Sequence, residues 1–312
     1  MTGSNRIPTF SDASLARAVE ILRTGGIVAI PTETVYGLAA DASRADAVAE
    51  IYRAKGRPSF NPLIVHVPDS ARAEQLAIFN GLARQLVDAF WPGPLTLVLP
   101  KRKDAPVTAA VTAGLDTLAL RCPAHPVMQA VLRASGLDLA APSANRSGAI
   151  SPTRAEHVAA GLGDRVELIL DAGRCAAGLE STIVAVRGDD YVVLRPGPVT
   201  TAMLADVAGR PAIAGQAGKI EAPGQLASHY APSKPVRLNV TVPDPDEWMI
   251  GFGSLDGNDN LSSVGDLAVA AARLFDCLHQ ADASAKKRIA IAPVPEEGIG
   301  VAINDRLRRA AA

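Results

Sequence analysis

AKGRPSFNPLIVHV, residues 54–67, decides how the rest of the chain is read. A helical pattern breaks there into a cationic, proline-punctuated turn that runs straight into an apolar strand. Pro58 biases Arg57 away from the helical region and Pro62 does the same to Asn61, so the segment is predicted to be locally extended. Residues two apart in an extended chain face the same way, which would point Lys55 and Arg57 together at one anion, as a phosphate cradle. A lone K-x-R is more often a solvated turn. The assignment therefore depends on the segments around it.

Upstream, SDASLARAVEILRTGG (11–26) has the spacing of an amphipathic helix, with Leu15, Val19 and Leu22 on one face. IVAIPT then reads as a strand, and Thr34 of ETVYGL falls at or just beyond its C-terminal end, where open α/β sheets bind ligands. Residues 44–54 return to helical spacing through Val48, Ile51 and Tyr52, and LIVHV is a strand with His66 inside it. Downstream, helices are predicted at 69–77 and 80–90, strands at LTLVLP and LDTLALR, and a helix from Pro126 to near Gly136. The apolar DLAAP run ends in PSANRSG, Pro152 and Thr153 open a further helix, and VELILDAG, STIVAV and YVVLRPG are β-rich. Strands outnumber helices, so the fold class expected is α/β: a twisted, mixed open sheet with packed helices.

From about 207 to 235 the pattern dissolves into Gly-, Pro- and Ala-rich sequence, the best linker candidate. This divides the chain into 1–206, a linker at 207–235, and a small α/β unit at 236–312. Strands are expected there at VRLNVTV, WMIGFG and RIAIAPV, with helices around 265–280 and through Ile303 and Leu307.

At 312 residues and 48% hydrophobic composition, the chain can bury a substantial core. A net charge of -1 gives no global attraction for nucleic acid or anionic membranes, so any polyanion must meet a local cluster. Stable nucleic-acid binding is not expected. Cys122, Cys175 and Cys277 lie far apart without a C-x-x-C, which fits free thiols in a reducing compartment. No secretory leader or membrane span is apparent, and a cytoplasmic protein is expected. GFGSLDG (251–257) fails as a dinucleotide fingerprint, because its third glycine comes one residue late, and AGKI near Lys219 fails as a P-loop.

KGR and SAN form an internal parallel: each is a polar pair at i, i+2 beside a proline. Ser143 and Asn145 can face the ligand of Lys55 and Arg57. A guanidinium forks onto two phosphate oxygens, an ammonium adds a point charge, and Ser and Asn add neutral donors. That combination suits a polyphosphate.

PTETVYGL, KGRPSFNPLIVH, PSANRSG followed by SPT, and ESTIV together resemble the YrdC-type L-threonylcarbamoyladenylate synthases. LRPG, SHYAP and the closing GIGVAINDRLRRA resemble the longer, two-domain form, so the likeness covers nearly the whole chain. The resemblance implies a concave, cationic cavity that makes threonylcarbamoyl-AMP from L-threonine, bicarbonate or CO2, and ATP, releasing pyrophosphate. The product would pass to a tRNA threonylcarbamoyl transferase. The family pattern places Lys55, Arg57, Ser143 and Asn145 around the phosphates as catalytic residues. It puts Asn61, Thr117, Ser151, Arg195 and Tyr230 around ATP, and Thr34, His66, Arg121, Ala141 and Ser181 around threonine. Ala141 has no polar side chain, so any polar contact there falls to backbone. Mg²⁺ would arrive bridging phosphates and water, and no residue is assigned to it. By its position in an apolar strand alone, His66 reads as a core residue. A linker carrying Tyr230 would fold over the cavity as a lid that excludes water. The alternatives are a protein that handles a preformed carbamoyl-adenylate, disfavoured by SHYAP and the second domain, and an RNA-binding module, disfavoured by the charge.

Overall fold

The structure is a computed structural model that describes residues 6–215, 221–222 and 229–312. Helix α1 (Asp12–Arg23) starts at a Ser11/Ser14 capping box and leads into β1 (Val28–Ile30) and β2 (Gly37–Asp41). Then follow α2 (Ala45–Lys55), β3 (Ile64–His66), α3 (Ser70–Leu76), α4 (Gly81–Phe90) and β4 (Leu95–Pro100). Next come α5 (Ala109–Thr112), β5 (Thr117–Arg121), α6 (Pro126–Ser135), β6 (Leu139–Ala140) and α7 (Ala155–Leu162). The first unit closes with β7 (Leu168–Ile169), β8 (Thr182–Arg187), β9 (Asp190–Arg195) and α8 (Thr201–Ala208). Its nine strands form one mixed sheet in the order β7-β1-β2-β6-β3-β5-β4-β8-β9. β1/β7, β3/β5 and β4/β8 are parallel, and the other pairs are antiparallel.

Three differences from the sequence reading have local causes. GLAAD forms β2, buried on both faces, and so lacks the alternation that marks a half-exposed strand. α7 begins at Ala155, later than Pro152 and Thr153, whose backbones are used elsewhere: Tyr36 N donates to Pro152 O, and Cys175 N to Thr153 O. The K-x-R pair is not extended. Lys55 is the last residue of α2 and Gly56 caps the helix in the left-handed region at φ 61°. Pro58 restricts only Arg57, and a glycine at 56 lets the helix run on to Lys55 before the chain turns.

The C-terminal unit contains β10 (Val236–Arg237), β11 (Glu247–Gly251), β12 (Asp259–Asn260), α9 (Leu267–Ala283), β13 (Arg288–Ile291) and α10 (Gly300–Ala310). Its four strands, in the order β10-β13-β11-β12, are all parallel. Phe275, Leu278, Ile303 and Leu307 of α9 and α10 form its core, and Val35, Ile150, Leu179 and Tyr230 join the same cluster. The interface is close: a Cβ on Gly178 would meet the Ala272 backbone at 2.5 Å. Among the described residues no helix is long and apolar enough to cross a membrane.

Candidate active site

Strand register sets the long axis of the site. β3 and β5 run parallel with Ile64 opposite Ala119 and His66 opposite Arg121. Alternation puts Thr117, Ala119 and Arg121 on one face of β5, and Ile64 and His66 on one face of β3. Ile64 and Ala119 cluster with Val98, Ile183, Ala185 and, from the linker, Ala222. From Thr117 to Arg121 is about 13 Å of strand.

The C-terminal end of this axis is polar and preformed. Arg121 is buried, and its guanidinium donates to Gly93 O at 3.2 Å, Thr34 Oγ1 at 2.9 Å and Glu33 Oε1 at 2.7 Å. The Thr34 hydroxyl lies 2.8 Å from that of Thr32. Burial acts to raise the Glu33 carboxyl, but Arg121 outweighs it and holds the group below its usual range. His66 Nδ1 is buried without a hydrogen-bond partner, and burial, then Arg121, lowers the imidazole to about 3. A buried polar atom left unpaired costs about 1–3 kcal/mol, so this neutral imidazole has an acceptor or donor to offer a ligand. His66 lines the cavity with Thr34, Arg121, Ala141 and Ser181, so it is not enclosed in the core as its position in sequence had implied.

At the other end, Arg57, Ser143, Arg195 and Tyr230 line the same cavity. Arg57 donates to Asn61 O at 3.3 Å and Pro62 O at 2.9 Å, and burial lowers it to about 10. Arg195 donates to Ser181 O at 2.9 Å and Ser181 Oγ at 3.2 Å. Lys55 is not in the lining. Its ammonium sits behind the SAN segment and donates to Ser143 O and Asn145 O at 2.6 Å each and Asn145 Oδ1 at 3.2 Å. Burial and then Arg57 push its pKa well down, yet three N–H bonds meeting three oxygens is the inventory of a charged ammonium. Lys55 thus braces the loop that presents Ser143. Asn61, Thr117, Asn145 and Ser151 likewise lie outside the lining of this cavity. Asn61 keeps a buried, unpartnered Oδ1.

His229 and Tyr230, described residues of the expected linker, form part of the wall; 216–220 and 223–228 of that segment lie outside the described residues. Tyr230 is 1% exposed, sits at φ 63°, and its buried hydroxyl makes no hydrogen bond. With His229 also in the wall, the cavity holds only about 40 Å³. Four lining or adjoining residues escaped the sequence reading: Glu33, Glu180, His229 and Arg306. Glu180 accepts from the Ser151 hydroxyl and, at 2.7 Å, from Arg306 Nε. Burial raises its carboxyl, but Arg306 and then Arg195 outweigh that. Arg306 was findable: it shares the inward face of α10 with Ile303, Leu307 and Ala310, and an arginine on an apolar face needs partners.

Two family profiles match in succession. The one described as "Telomere recombination" (Sua5, YciO and YrdC) spans residues 20–197, and "Threonylcarbamoyl-AMP synthase, C-terminal domain" spans 199–312. The chain is 40% identical to the threonylcarbamoyl-AMP synthase of Bacillus subtilis, covering 96% of this chain and 94% of that one. It is 39% identical to the synthase of Pyrococcus abyssi, covering 94% and 92% respectively. The crystal structure of P. abyssi Sua5 complexed with L-threonine superposes with a TM-score of 0.89 at 36% identity, over 98% of this chain and 96% of that one. Escherichia coli YciO, at 24% identity and TM-score 0.53 over 62% of this chain and 93% of that one, shares the fold. Two adjoining domains, matched over nearly their whole length by relatives that have both, place the chain in the two-domain threonylcarbamoyl-AMP synthase family.

Proposed function

We propose that the chain is an L-threonylcarbamoyladenylate synthase, converting L-threonine, bicarbonate or CO2, and ATP into threonylcarbamoyl-AMP and pyrophosphate. One observation carries the reading: a single cavity is lined both by Arg121, Thr34 and His66, which suit an amino acid, and by Arg57, Arg195 and Ser143, which suit phosphates. The activity of the relatives and the L-threonine complex of the P. abyssi protein support it.

Threonine's amine adds to CO2, forming a C–N bond and losing a proton, to give a carbamate. A carbamate oxygen attacks the α-phosphorus of ATP, and the bond from that phosphorus to the bridging oxygen breaks to release pyrophosphate. Such chemistry needs positioning and charge neutralisation more than covalent help. Arg121 is the fork for the threonine carboxylate or the carbamate, held at a fixed angle by Glu33 and Thr34. Arg57 and Arg195 face the developing phosphate charge. Mg²⁺ would enter with ATP as part of the substrate and would supply charge neutralisation at the phosphates, with no residue of this chain assigned to hold it.

Tyr230 in the cavity wall would shield an easily hydrolysed adenylate from water; the rest of the expected lid, 216–220 and 223–228, lies outside the described residues. The product then passes to a transferase that modifies tRNA adenosine. The test is incubation with ATP, labelled bicarbonate and an amino-acid panel. A threonine-dependent acyl-adenylate with stoichiometric pyrophosphate is expected, and its absence sinks the reading.

A further inference from the structure

We infer that Arg306 is a positioning residue, through which the C-terminal domain holds Tyr230 and Glu180 at the phosphate end of the cavity. The inference rests on the synthase reading for its kinetic consequences, but its geometry is independent of that reading. Arg306 is 0% exposed. Burying a guanidinium is costly unless its charge and its donors are all met. Here Nε donates to Glu180 Oε2 at 2.7 Å, Nη2 to Pro196 O at 3.0 Å and Nη1 to Asp305 Oδ2 at 2.7 Å. The guanidinium carbon also lies 5.0 Å from the centroid of the Tyr230 ring, a cation–π contact that fixes the ring from behind.

One side chain therefore joins α10, the linker, and the segments before β8 and after β9. Glu180 completes the chain of contacts by accepting from the Ser151 hydroxyl. A site that needed only volume is filled by Met at lower cost. What Met cannot do is hold a carboxylate and a tyrosine ring in fixed relation to each other. Arg306 lies outside the cavity wall and acts on it only through Glu180 and Tyr230, both of which are in the wall. The second domain is thus a structural requirement for the covered state of the site.

Arg306→Met alone strands the Glu180 carboxylate in the interior and is expected to destabilise the fold. The decisive protein is the double variant Glu180→Gln/Arg306→Met, which removes both charges, with Glu180→Gln and the conservative Arg306→Lys as companions. Nitration by tetranitromethane, mapped by peptide mass, reads Tyr230 without any substrate. Tyr230 is expected to resist nitration in the wild type and in Glu180→Gln, and to react in the double variant. Melting temperature should be close to wild type in the double variant, while kcat/KM for ATP falls by about tenfold or more and KM for threonine stays within about twofold. Arg306→Lys keeps the charge but loses the fork, and should fall between wild type and the double variant. A protected Tyr230, or ATP kinetics within about twofold of wild type, in either folded Arg306 variant overturns the inference. Wild-type protein without threonine-dependent pyrophosphate release would instead overturn the synthase reading, and the nitration result would stand.

Discussion

The two ends of the cavity are assembled by different means. At the proposed amino-acid end, Thr34, His66, Arg121 and Ala141 come from the large sheet and its loops, with Ser181 joining them just before β8, and strand pairing sets His66 beside Arg121. At the phosphate end, Arg57, Glu180, Arg195, Tyr230 and Arg306 come from five separate stretches, two of them beyond residue 206. The first end exists once the sheet has folded. The second also draws on Tyr230 and on Arg306 of the C-terminal unit.

The largest test of this division is Arg121→Ala. On the proposed role of Arg121 as the fork for the threonine carboxylate, it should lower kcat/KM for threonine by about 10²–10³-fold while ATP affinity changes little. Threonine-dependent pyrophosphate release measures it, and an equal rise in KM for ATP would show that the two ends are not separable. Tyr230→Ala comes next: product formation should fall by about tenfold or more as water reaches the adenylate, and a wild-type rate would remove the covering role. Thr34→Val is nearly isosteric but removes the oxygen that accepts from Arg121. KM for threonine should rise by about fivefold to tenfold with KM for ATP unchanged, as expected for one charge-assisted hydrogen bond.

Mild acidification is the smallest effect, and it bears on both ends. Burial, reinforced by Arg121, lowers His66 from 6.5 to about 3, and burial lowers His229 from 6.5 to about 3. Below 6.5 the unfolded chain takes up these protons, whereas the folded chain does not until about 3. Stability is therefore complete above pH 6.5 and declines as pH falls, by about 1.4 kcal/mol per pH unit for each such histidine at most. Denaturant titrations at pH 7.5 and 5.5 should show the loss, and His66→Gln should remove one histidine's share of it. Equal losses in wild type and His66→Gln would mean that the imidazole is charged in the folded protein.

At the amino-acid end the elements were legible in the sequence, but the roles of His66, Arg121 and Ser181 came only from the family resemblance. PTETVYGL and LIVHV carry local patterns that translate directly into a strand end and a strand, and register did the rest. The helices with clear caps were equally plain, such as α4 behind Asn80 and α6 behind Pro126. The phosphate end was only half readable. KGR and SAN stood out as cationic and polar turns, but that Lys55 braces the backbone of the SAN segment is a long-range contact that spacing does not encode. Glu180 was not singled out in the sequence, because its partner Arg306 lies 126 residues away. β2 was missed because a strand buried on both faces has no period-two signal, and β12 because two residues are too few to show one.

The residue after Tyr230 carries a final consequence. Ala231 N donates to Gly148 O at 2.8 Å, and Ala149 and Ala231 form a parallel bridge, so residue 231 itself is moored through main-chain atoms. Side-chain identity at 231 contributes nothing to that mooring, but chain length does. Inserting one residue between 230 and 231 would displace the ring by about 3.4 Å relative to its mooring. This segment should therefore tolerate substitution at 231 and be intolerant of insertion or deletion beside it.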